Sequence, residues 1–204
     1  MTPFTKLTAI AAPFDMANVD TDKIIPARFL RKLRTAVAGY DPYLFHDMRF
    51  DAEGRERPEF VLNQPAYRGA GILVAGANFG CGSSREGAVY ALLDYGIRCV
   101  IAPSFGDIHY ANELQNGMLP VILEEDICRT LREQLRDRPG AQVTVDLESQ
   151  TATGPDAATY PFEIDPTYRE RLLKGLDDVG LVLEHLSEIE TFEKRYHADQ
   201  PWLA

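Results

Sequence analysis

The sequence is poor in closely spaced metal ligands. Its 204 residues include three cysteines, Cys81, Cys99 and Cys128, and no two of them form a Cys-x-x-Cys pair. Structural zinc sites and self-contained iron–sulfur clusters need closely spaced ligands, so the sequence predicts neither for this chain alone. We expect Cys99 and Cys128 to be small buried side chains, and Cys81 to fill a tight turn.

Long apolar runs and excess positive charge are also lacking. No run approaches the length of a membrane span, and residues 1–6 lack the hydrophobic region of a signal peptide, so we expect a cytoplasmic protein. The chain has 21 Lys and Arg against 31 Asp and Glu, a formal charge of −10. This balance argues against nucleic acid and anionic membrane as partners. An anionic ligand would have to be bound by local arginines and backbone dipoles.

What the sequence does contain is typical of one globular domain. Its apolar fraction of 45% is ordinary for a folded protein, and 204 residues are enough to build one good core. Neither an internal repeat nor a low-complexity tract interrupts the sequence. We therefore predict a single domain over residues 1–204, with room for an appended tail.

A glycine-rich stretch, Gly76–Glu86, stands between a predicted strand and a predicted helix. The apolar run Gly71–Ala75 is typical of a short buried strand, and Glu86–Tyr95 has apolar residues at helical spacing. The glycines relieve the turn of side chains and permit positive φ. Backbone N–H groups and the positive end of the helix dipole would converge at Ser83 and Ser84, which suits an anion.

This pattern has more than one interpretation. A Gly-Ser-Ser sequence at the start of a helix can serve as a plain cap. The stretch is not a phosphate-binding P-loop, because no Gly-Lys-Ser/Thr follows, and its glycines do not have dinucleotide-binding spacing. It is not a Gly-x-Ser-x-Gly nucleophile elbow either, and the sequence indicates no histidine partner for the serine.

Further strands and helices alternate along the chain. Strand–helix–strand spacing predicts parallel pairing, with ligands gathering beyond the carboxyl ends of the strands, so we expect the Ser83 turn and the Ser104 turn at one edge. The predicted strands are Thr5–Ala11, Gly71–Ala75, Cys99–Ala102, Leu119–Leu123, Gln142–Leu147 and its antiparallel mate Ala157–Ile164. The predicted helices are Glu86–Tyr95, Asp107–Asn116, Glu124–Arg136, one from Pro166 and Ser187–Tyr196, with a turn at Leu176–Leu181.

The densest basic patch of the chain follows Pro26. It comprises Arg28, Arg31, Lys32 and Arg34. These residues are either a solvated helical face or part of a site for an anionic ligand.

Three motifs in the same order resemble the swivelling domain of the aconitase superfamily. They are Asn78–Glu86 (Asn-Phe-Gly-Cys-Gly-Ser-Ser-Arg-Glu), Asn18–Leu30 upstream and Ile101–Ile108 downstream. The free-standing form of this domain is the small-subunit family of 3-isopropylmalate dehydratases, in leucine biosynthesis. The resemblance extends to about Leu183, which leaves a C-terminal helical tail from about residue 183.

The resemblance implies an α/β fold, a three-layer β/β/α swivelling domain with a partly parallel central sheet. It implies a hydro-lyase that acts on a dicarboxylate by dehydration and rehydration, with Ser83 as the catalytic base. It further implies that Ser84 and Arg85 bind the substrate together with Arg28, Lys32 or Arg34. The [4Fe–4S] cluster of the family would belong to a large partner subunit, and this chain would bind no cofactor.

One residue departs from the family pattern. The family usually has histidine after Ser-Ser-Arg-Glu, whereas this chain has Gly87. Glycine in a first helical turn weakens the helix by up to about 1 kcal/mol relative to alanine. The departure leaves related substrates open, namely citraconate, methylmalate or homoaconitate. A non-catalytic dicarboxylate-binding domain and a stand-alone phosphate-handling enzyme are further alternatives.

Overall fold

The computed structural model describes residues 1–35 and 37–203. In this part of the chain, seven strands form one sheet with the spatial order β4-β3-β2-β1-β5-β6-β7. In chain order the strands are β1 (Lys6–Phe14), β2 (Ile72–Ala75), β3 (Cys99–Ala102), β4 (Leu119–Ile122), β5 (Gln142–Asp146), β6 (Thr151–Thr153) and β7 (Thr159–Pro161).

Strand β1 belongs to both halves of the sheet. Its carboxyl end, Ala11–Phe14, pairs in parallel with β2, which is followed in parallel by β3 and β4. Its amino end, Lys6–Ile10, pairs antiparallel with β5, which is followed antiparallel by β6 and β7. The sheet is therefore parallel on one side of β1 and antiparallel on the other.

Helices cover the sheet. Within the described residues the α-helices are α1 (Thr21–Ile24), α2 (His46–Arg49), α3 (Glu86–Tyr95), α4 (Asp107–Gln115), α5 (Glu125–Asp137), α6 (Pro166–Lys174), α7 (Asp178–Glu184) and α8 (Leu186–Asp199). Short 3-10 helices lie at Ala27–Phe29, Asp41–Tyr43, Val61–Asn63 and Pro201–Leu203. None of these helices is long and apolar enough to cross a membrane.

Two apolar cores lie on opposite faces of the parallel half, because side chains alternate along each strand. Leu73 and Ala75 of β2 pack in the core that contains the buried face of α3. Ile72 and Val74 pack in the core that contains the buried face of α5. Strands β2 and β3 are buried along their whole length, which explains why their sequences are unbroken apolar runs.

Much of the predicted architecture is confirmed. The fold is of the α/β class with a partly parallel sheet. Helix α3 begins and ends at the predicted residues, Glu86 and Tyr95. The parallel pairing of β2, β3 and β4 is also as expected.

The predicted mate of β5 was wrong. Ala157–Ile164 does not pair with β5, because β6 lies between β5 and β7. The chain reverses after Asp146 through a turn in which Gln150 has φ +52° and Asp146 Oδ1 accepts hydrogen bonds from the N–H groups of Glu148 and Ser149. A turn without glycine, proline or asparagine gives little signal in sequence.

The predicted turn at Leu176–Leu181 was also wrong in part. Helix α7 begins at Asp178, and the Asp177 side chain caps it by accepting a hydrogen bond from the N–H of Gly180 at 2.7 Å. Gly180 therefore lies in the first turn of a helix. No described residue of α7 or α8 is buried.

Candidate active site

The glycine-rich stretch lies where the parallel strands β1, β2 and β3 end. Past β2 it forms isolated bridges to the segment after β1, at Asp20 and Cys81, and to the segment after β3, at Phe79 and Phe105. Gly76 permits the first close approach, because a β-carbon there would lie 2.6 Å from the carbonyl oxygen of Met16. The predicted meeting of the Ser83 and Ser104 turns at one edge is confirmed.

Backbone hydrogen bonds join the glycine-rich turn to the segments that follow β1 and β3. The N–H of Phe79 donates to the carbonyl of Ser104 at 3.0 Å, and the N–H of Gly80 donates to the carbonyl of Val19 at 2.7 Å. The N–H of Thr21 donates to the carbonyl of Cys81 at 3.0 Å. The turn is thus part of a three-loop network rather than a separate loop.

The turn needs left-handed backbone at alternate residues. Asn78, Gly80 and Gly82 have φ of +60°, +70° and +92°. Asn78 tolerates this conformation, and its Nδ2 donates to Oδ1 of Asn18 at 2.8 Å. At Gly80 a side chain is also excluded by space, because its β-carbon would lie 2.1 Å from the ring of His109.

Ser83 and Ser84 are exposed at this edge. The hydroxyl of Thr21, which is itself buried, donates to the backbone carbonyl of Ser83 at 2.9 Å and holds the residue in place. The N-cap of α3 is Arg85, and it makes no side-chain capping hydrogen bond. The alternative in which these serines are plain caps is therefore wrong for α3, and their hydroxyls are left for other uses.

Arg85 is paired with Asp22 of α1. The guanidinium is mostly buried, with 17% of the side chain exposed, and Nη1 contacts Oδ1 of Asp22. The hydrogen bond from Arg85 is the main reason why the pKa of the Asp22 carboxyl lies below its usual value, although burial opposes it. The pair with Asp22 fixes the orientation of the Arg85 guanidinium next to the start of α3.

Two candidate arginines in the segment after Pro26 form ion pairs. Arg28 forms a bidentate pair with Asp47, and its guanidinium lies 4.5 Å from the Phe29 ring centroid. Arg34 donates to both carboxylate oxygens of Asp94 on α3, at 2.9 and 2.8 Å. The segment is therefore joined to the helix that follows the site turn.

The remaining cations of the patch are less engaged. Among the described residues, neither Lys32 nor Arg31 forms an ion pair, and both are exposed. The backbone carbonyl of Lys32 accepts a hydrogen bond from the Tyr40 hydroxyl at 3.0 Å.

Gly87 has a packing role. A β-carbon at this position would lie 2.6 Å from Cδ2 of Leu30. Leu30 packs against the first turn of α3 where Gly87 has no side chain, so a larger residue at this position would require the end of the Leu30 side chain to shift.

The thiols of this chain do not fit an iron–sulfur cluster. Cys99 and Cys128 are buried, as predicted, and Cys81 is partly exposed in the turn. Burial raises the pKa of the Cys128 thiol to about 12 and that of Cys99 well above its usual value, which disfavours the thiolates that ligate iron. In the described part of the chain, no group of three or more His, Cys, Asp or Glu side chains could hold a metal ion.

Sequence reasoning missed three residues of this site. Thr21 and Asp22 lie within the Asn18–Leu30 motif, but the sequence indicated no role of their own for them, and in the structure they hold the Ser83 carbonyl and the Arg85 guanidinium. Asp94, the partner of Arg34, lies among ordinary helical residues. The available signals for Thr21 and Asp22 were their place in the Asn18–Leu30 motif and the acidic and threonine content of residues 20–22, which follow β1 in a parallel topology.

Family models match most of the chain. Residues 1–126 match the aconitase C-terminal domain, and residues 129–166 match a model described as LeuD_N. Residues 178–204 match the C-terminal domain of the small subunit of 3-isopropylmalate dehydratase.

Individual proteins give the same result over the full length. The chain is 52% identical to the 3-isopropylmalate dehydratase small subunit of Dinoroseobacter shibae, with 100% of both chains covered, and 51% identical to that of Phenylobacterium zucineum, with 100% and 98% covered. A crystal structure of 3-isopropylmalate dehydratase from Methanocaldococcus jannaschii is 27% identical. It has a TM-score of 0.63 and covers 94% of this chain and 99% of that one.

Proposed function

Because the chain belongs to the small-subunit family of 3-isopropylmalate dehydratases, within the aconitase superfamily, we propose that it contributes the base and the substrate clamp of this hydro-lyase. The reaction would interconvert 2-isopropylmalate and 3-isopropylmalate through 2-isopropylmaleate, in leucine biosynthesis and in the cytoplasm. The observation that carries the proposal is the position of Ser83. It is exposed at the edge where three parallel strands end, with its backbone held by Thr21.

In the proposed reaction, Ser83 Oγ accepts a proton from a substrate carbon while the hydroxyl group leaves the neighbouring carbon. A serine oxygen is a weak base in water. We infer that two groups stabilise negative charge on the Ser83 oxygen. They are the amino terminus of α3, which begins at Glu86, and the guanidinium of Arg85.

We propose that Arg85 binds one substrate carboxylate. A planar guanidinium matches a carboxylate with two parallel hydrogen bonds, and the pair with Asp22 already fixes its orientation. The hydroxyl of Ser84 would donate to the same carboxylate. The candidates for binding the second carboxylate are Arg28, Lys32 and Arg34. The two arginines would first have to leave their aspartate partners, whereas Lys32 forms no ion pair among the described residues.

The [4Fe–4S] cluster, which would supply the Lewis acid for the leaving hydroxyl, is assigned to a large partner subunit because the thiols of this chain do not fit it. We propose that the small subunit is active only in that complex. We propose that helices α7 and α8 form a tail appended to a single domain. The exposed apolar side chains of this tail, among them Val182, Leu183 and Phe192, support the binding of the large subunit there.

The test is an anaerobic assay of the complex with the large subunit, in which 3-isopropylmalate is supplied and the absorbance of the unsaturated acid is followed. Ser83→Ala should lower kcat by about 10²- to 10⁴-fold with KM within a few-fold, the usual loss for an acid–base group. Ser84→Ala is the matched control in the same turn and should raise KM more than it lowers kcat.

Two results would contradict the proposal. Equal kcat in wild type and Ser83→Ala, with the complex intact, would remove Ser83 from the chemistry. Turnover of citraconate or homoaconitate without turnover of 3-isopropylmalate would make the chain part of a related hydro-lyase, and would mark Gly87 as the sign of that substrate.

A further inference from the structure

A buried histidine and a buried glutamate lie next to the site turn. His109 and Glu113 are four residues apart on one face of α4 and are 2% and 0% exposed. Nε2 of His109 and Oε1 of Glu113 are 3.0 Å apart. They are not aligned as a hydrogen bond, and neither side chain has another hydrogen-bond partner among the described residues. Buried polar groups are rarely left so poorly paired, so this pair requires an explanation.

The imidazole ring contacts the backbone of the site turn. A β-carbon on Gly80 would lie 2.1 Å from Cγ and Cδ2 of His109. Next to this contact, a β-carbon on Gly106 would lie 2.6 Å from the carbonyl oxygen of Gly80. The backbone of Gly80 therefore rests on the start of α4, with the ring as the side chain in direct contact.

The orientation of the ring is set by its neighbours. Cδ2, one of the two ring atoms nearest to Gly80, is bonded to Nε2, the atom nearest to Glu113. The Phe79 ring meets the imidazole edge to face, with centroids 5.5 Å apart and planes at 64°. A rotation of the ring would separate Nε2 from Glu113 or press the ring against Gly80.

The glutamate makes the burial of an imidazole tolerable. Burial raises the pKa of the Glu113 carboxyl, and His109 partly reverses that effect. With one proton between them, the two side chains carry no net charge in either arrangement, and a neutral pair is much less costly to bury than a lone charge. The titratable neighbours on which Glu113 acts are Cys99 on β3 and Tyr110 on α4, whose pKa values are raised mainly by burial and further by Glu113.

We propose that His109 is a positioning residue for Ser83, and this inference rests on the function proposed above. The ring braces Gly80 from the α4 side, while the Thr21 hydroxyl holds the Ser83 carbonyl from the α1 side. Gly80 and Ser83 are three residues apart, so a shift at Gly80 moves the base. Shape is the property that positions the turn, and the role of Glu113 is to neutralise the polarity of the ring.

The test compares two double variants that both lack the glutamate. His109→Phe/Glu113→Leu keeps an aromatic ring, whereas His109→Ala/Glu113→Leu removes it. Neither leaves an unpaired buried charge, so both should fold. Phe162→Ala, which removes a buried ring from the core that contains β5 and α5, controls for the general effect of a cavity.

The variants are assayed as complexes with the large subunit. The variant with phenylalanine should keep kcat within three-fold of wild type. The variant with alanine should lose at least ten-fold in kcat with KM within three-fold, because a small misplacement of a reacting group is costly. Phe162→Ala should lower the melting temperature without changing kcat per folded complex. In the same complexes, amide hydrogen exchange at Phe79 and Gly80, whose N–H groups donate to the carbonyls of Ser104 and Val19, should quicken in the alanine variant alone.

Full kcat in the alanine variant, or unchanged hydrogen exchange at Phe79 and Gly80, would overturn the inference. So would an equal loss of kcat in both double variants, because the loss would then follow the charge pair and not the ring. Ser83→Ala is assayed alongside. Full turnover in that variant contradicts the proposed base, whereas an inactive Ser83→Ala with full activity in both double variants contradicts the bracing role alone.

Discussion

The two halves of the sheet fix their turns in different ways. In the parallel half, the site turn is bonded to residues far away in sequence: Asn78 to Asn18, 60 residues apart, and Thr21 to Ser83, 62 residues apart. In the antiparallel half, side-chain bonds within the turn after β5 are local, since Asp146 accepts from the N–H groups two and three residues on. The distant bonds of this turn join its backbone to Arg169 and Thr5.

The difference follows from topology. Parallel strands all end at the same edge, so the loops that follow them meet even when their sequences are distant. A hairpin joins two strands that follow each other in sequence, so its turn can close with local bonds and does not have to meet a second loop. A site that needs groups from several segments can therefore form in the parallel half, and a change in one of its turns affects the other turns.

The largest expected effect comes from adding one methyl group to each half. Gly80→Ala in the site turn should destabilise the fold by about 3 kcal/mol, from the positive φ and the overlap with His109. Gly140→Ala, before β5, has a similar φ of +84°, but its nearest neighbour would lie at 3.5 Å, so about 1 kcal/mol is expected. Urea unfolding measures both losses, and equal losses would contradict the comparison.

A smaller effect is expected from removing one hydroxyl in each half. Thr21→Val deletes the donor to the Ser83 carbonyl and should cost about 1 kcal/mol, with kcat lowered roughly ten-fold because Ser83 shifts. Thr8→Val deletes the exposed cross-strand contact with Thr144 and should cost less than about 0.5 kcal/mol. An unchanged kcat in Thr21→Val would show that the network does not position the serine.

The smallest effect concerns one ion pair in each half and depends on pH. Burial raises the pKa of Asp94, but hydrogen bonds from Arg34 and the N–H of Tyr40 outweigh it and leave the value lowered. The N–H of Ser149, followed by Lys6, lowers the pKa of Asp146. A carboxyl whose pKa is lowered in the folded protein stabilises the fold at pH values above its ordinary pKa of about 3.9. This stabilisation is lost as the pH falls through the pKa of the folded protein.

Asp94→Asn should therefore lower the free energy of unfolding at pH 7 by at most about 1 kcal/mol and match wild type in strong acid, both measured by urea unfolding. It should also raise KM, because Arg34 no longer joins the basic segment to α3. Asp146→Asn is the matched variant and should leave KM unchanged. A raised KM in both variants would mean that ion pairs in either half of the sheet affect substrate binding, which would contradict the comparison.

The same contrast explains which features were predictable from sequence. Helix α3 and strands β2 and β3 carry strong local signals, namely periodic apolar residues and unbroken branched runs, and they were predicted almost to the residue. Strand β6 has three residues and follows a turn without glycine or proline, so it was missed.

Within the site, the glycine-rich turn could be predicted but its partners could not. The pairs of Arg85 with Asp22 and of Arg34 with Asp94 join residues 63 and 60 positions apart. Such pairs depend on how the loops meet in space, which local propensity does not encode. The choice of Arg34 or Arg28 as a substrate ligand likewise stayed open, because both are basic residues in one short segment.

The shared strand β1 has a consequence for the order of folding. Its parallel partner begins at Ile72, and its antiparallel partner does not begin until Gln142. During synthesis from the amino terminus, the first strand to leave the ribosome therefore waits the longest to be paired on both sides. Pairing over such long sequence separations is slow, and an unpaired strand edge invites aggregation. We expect the chain to fold slowly, and to depend on chaperones until its antiparallel half has been synthesised.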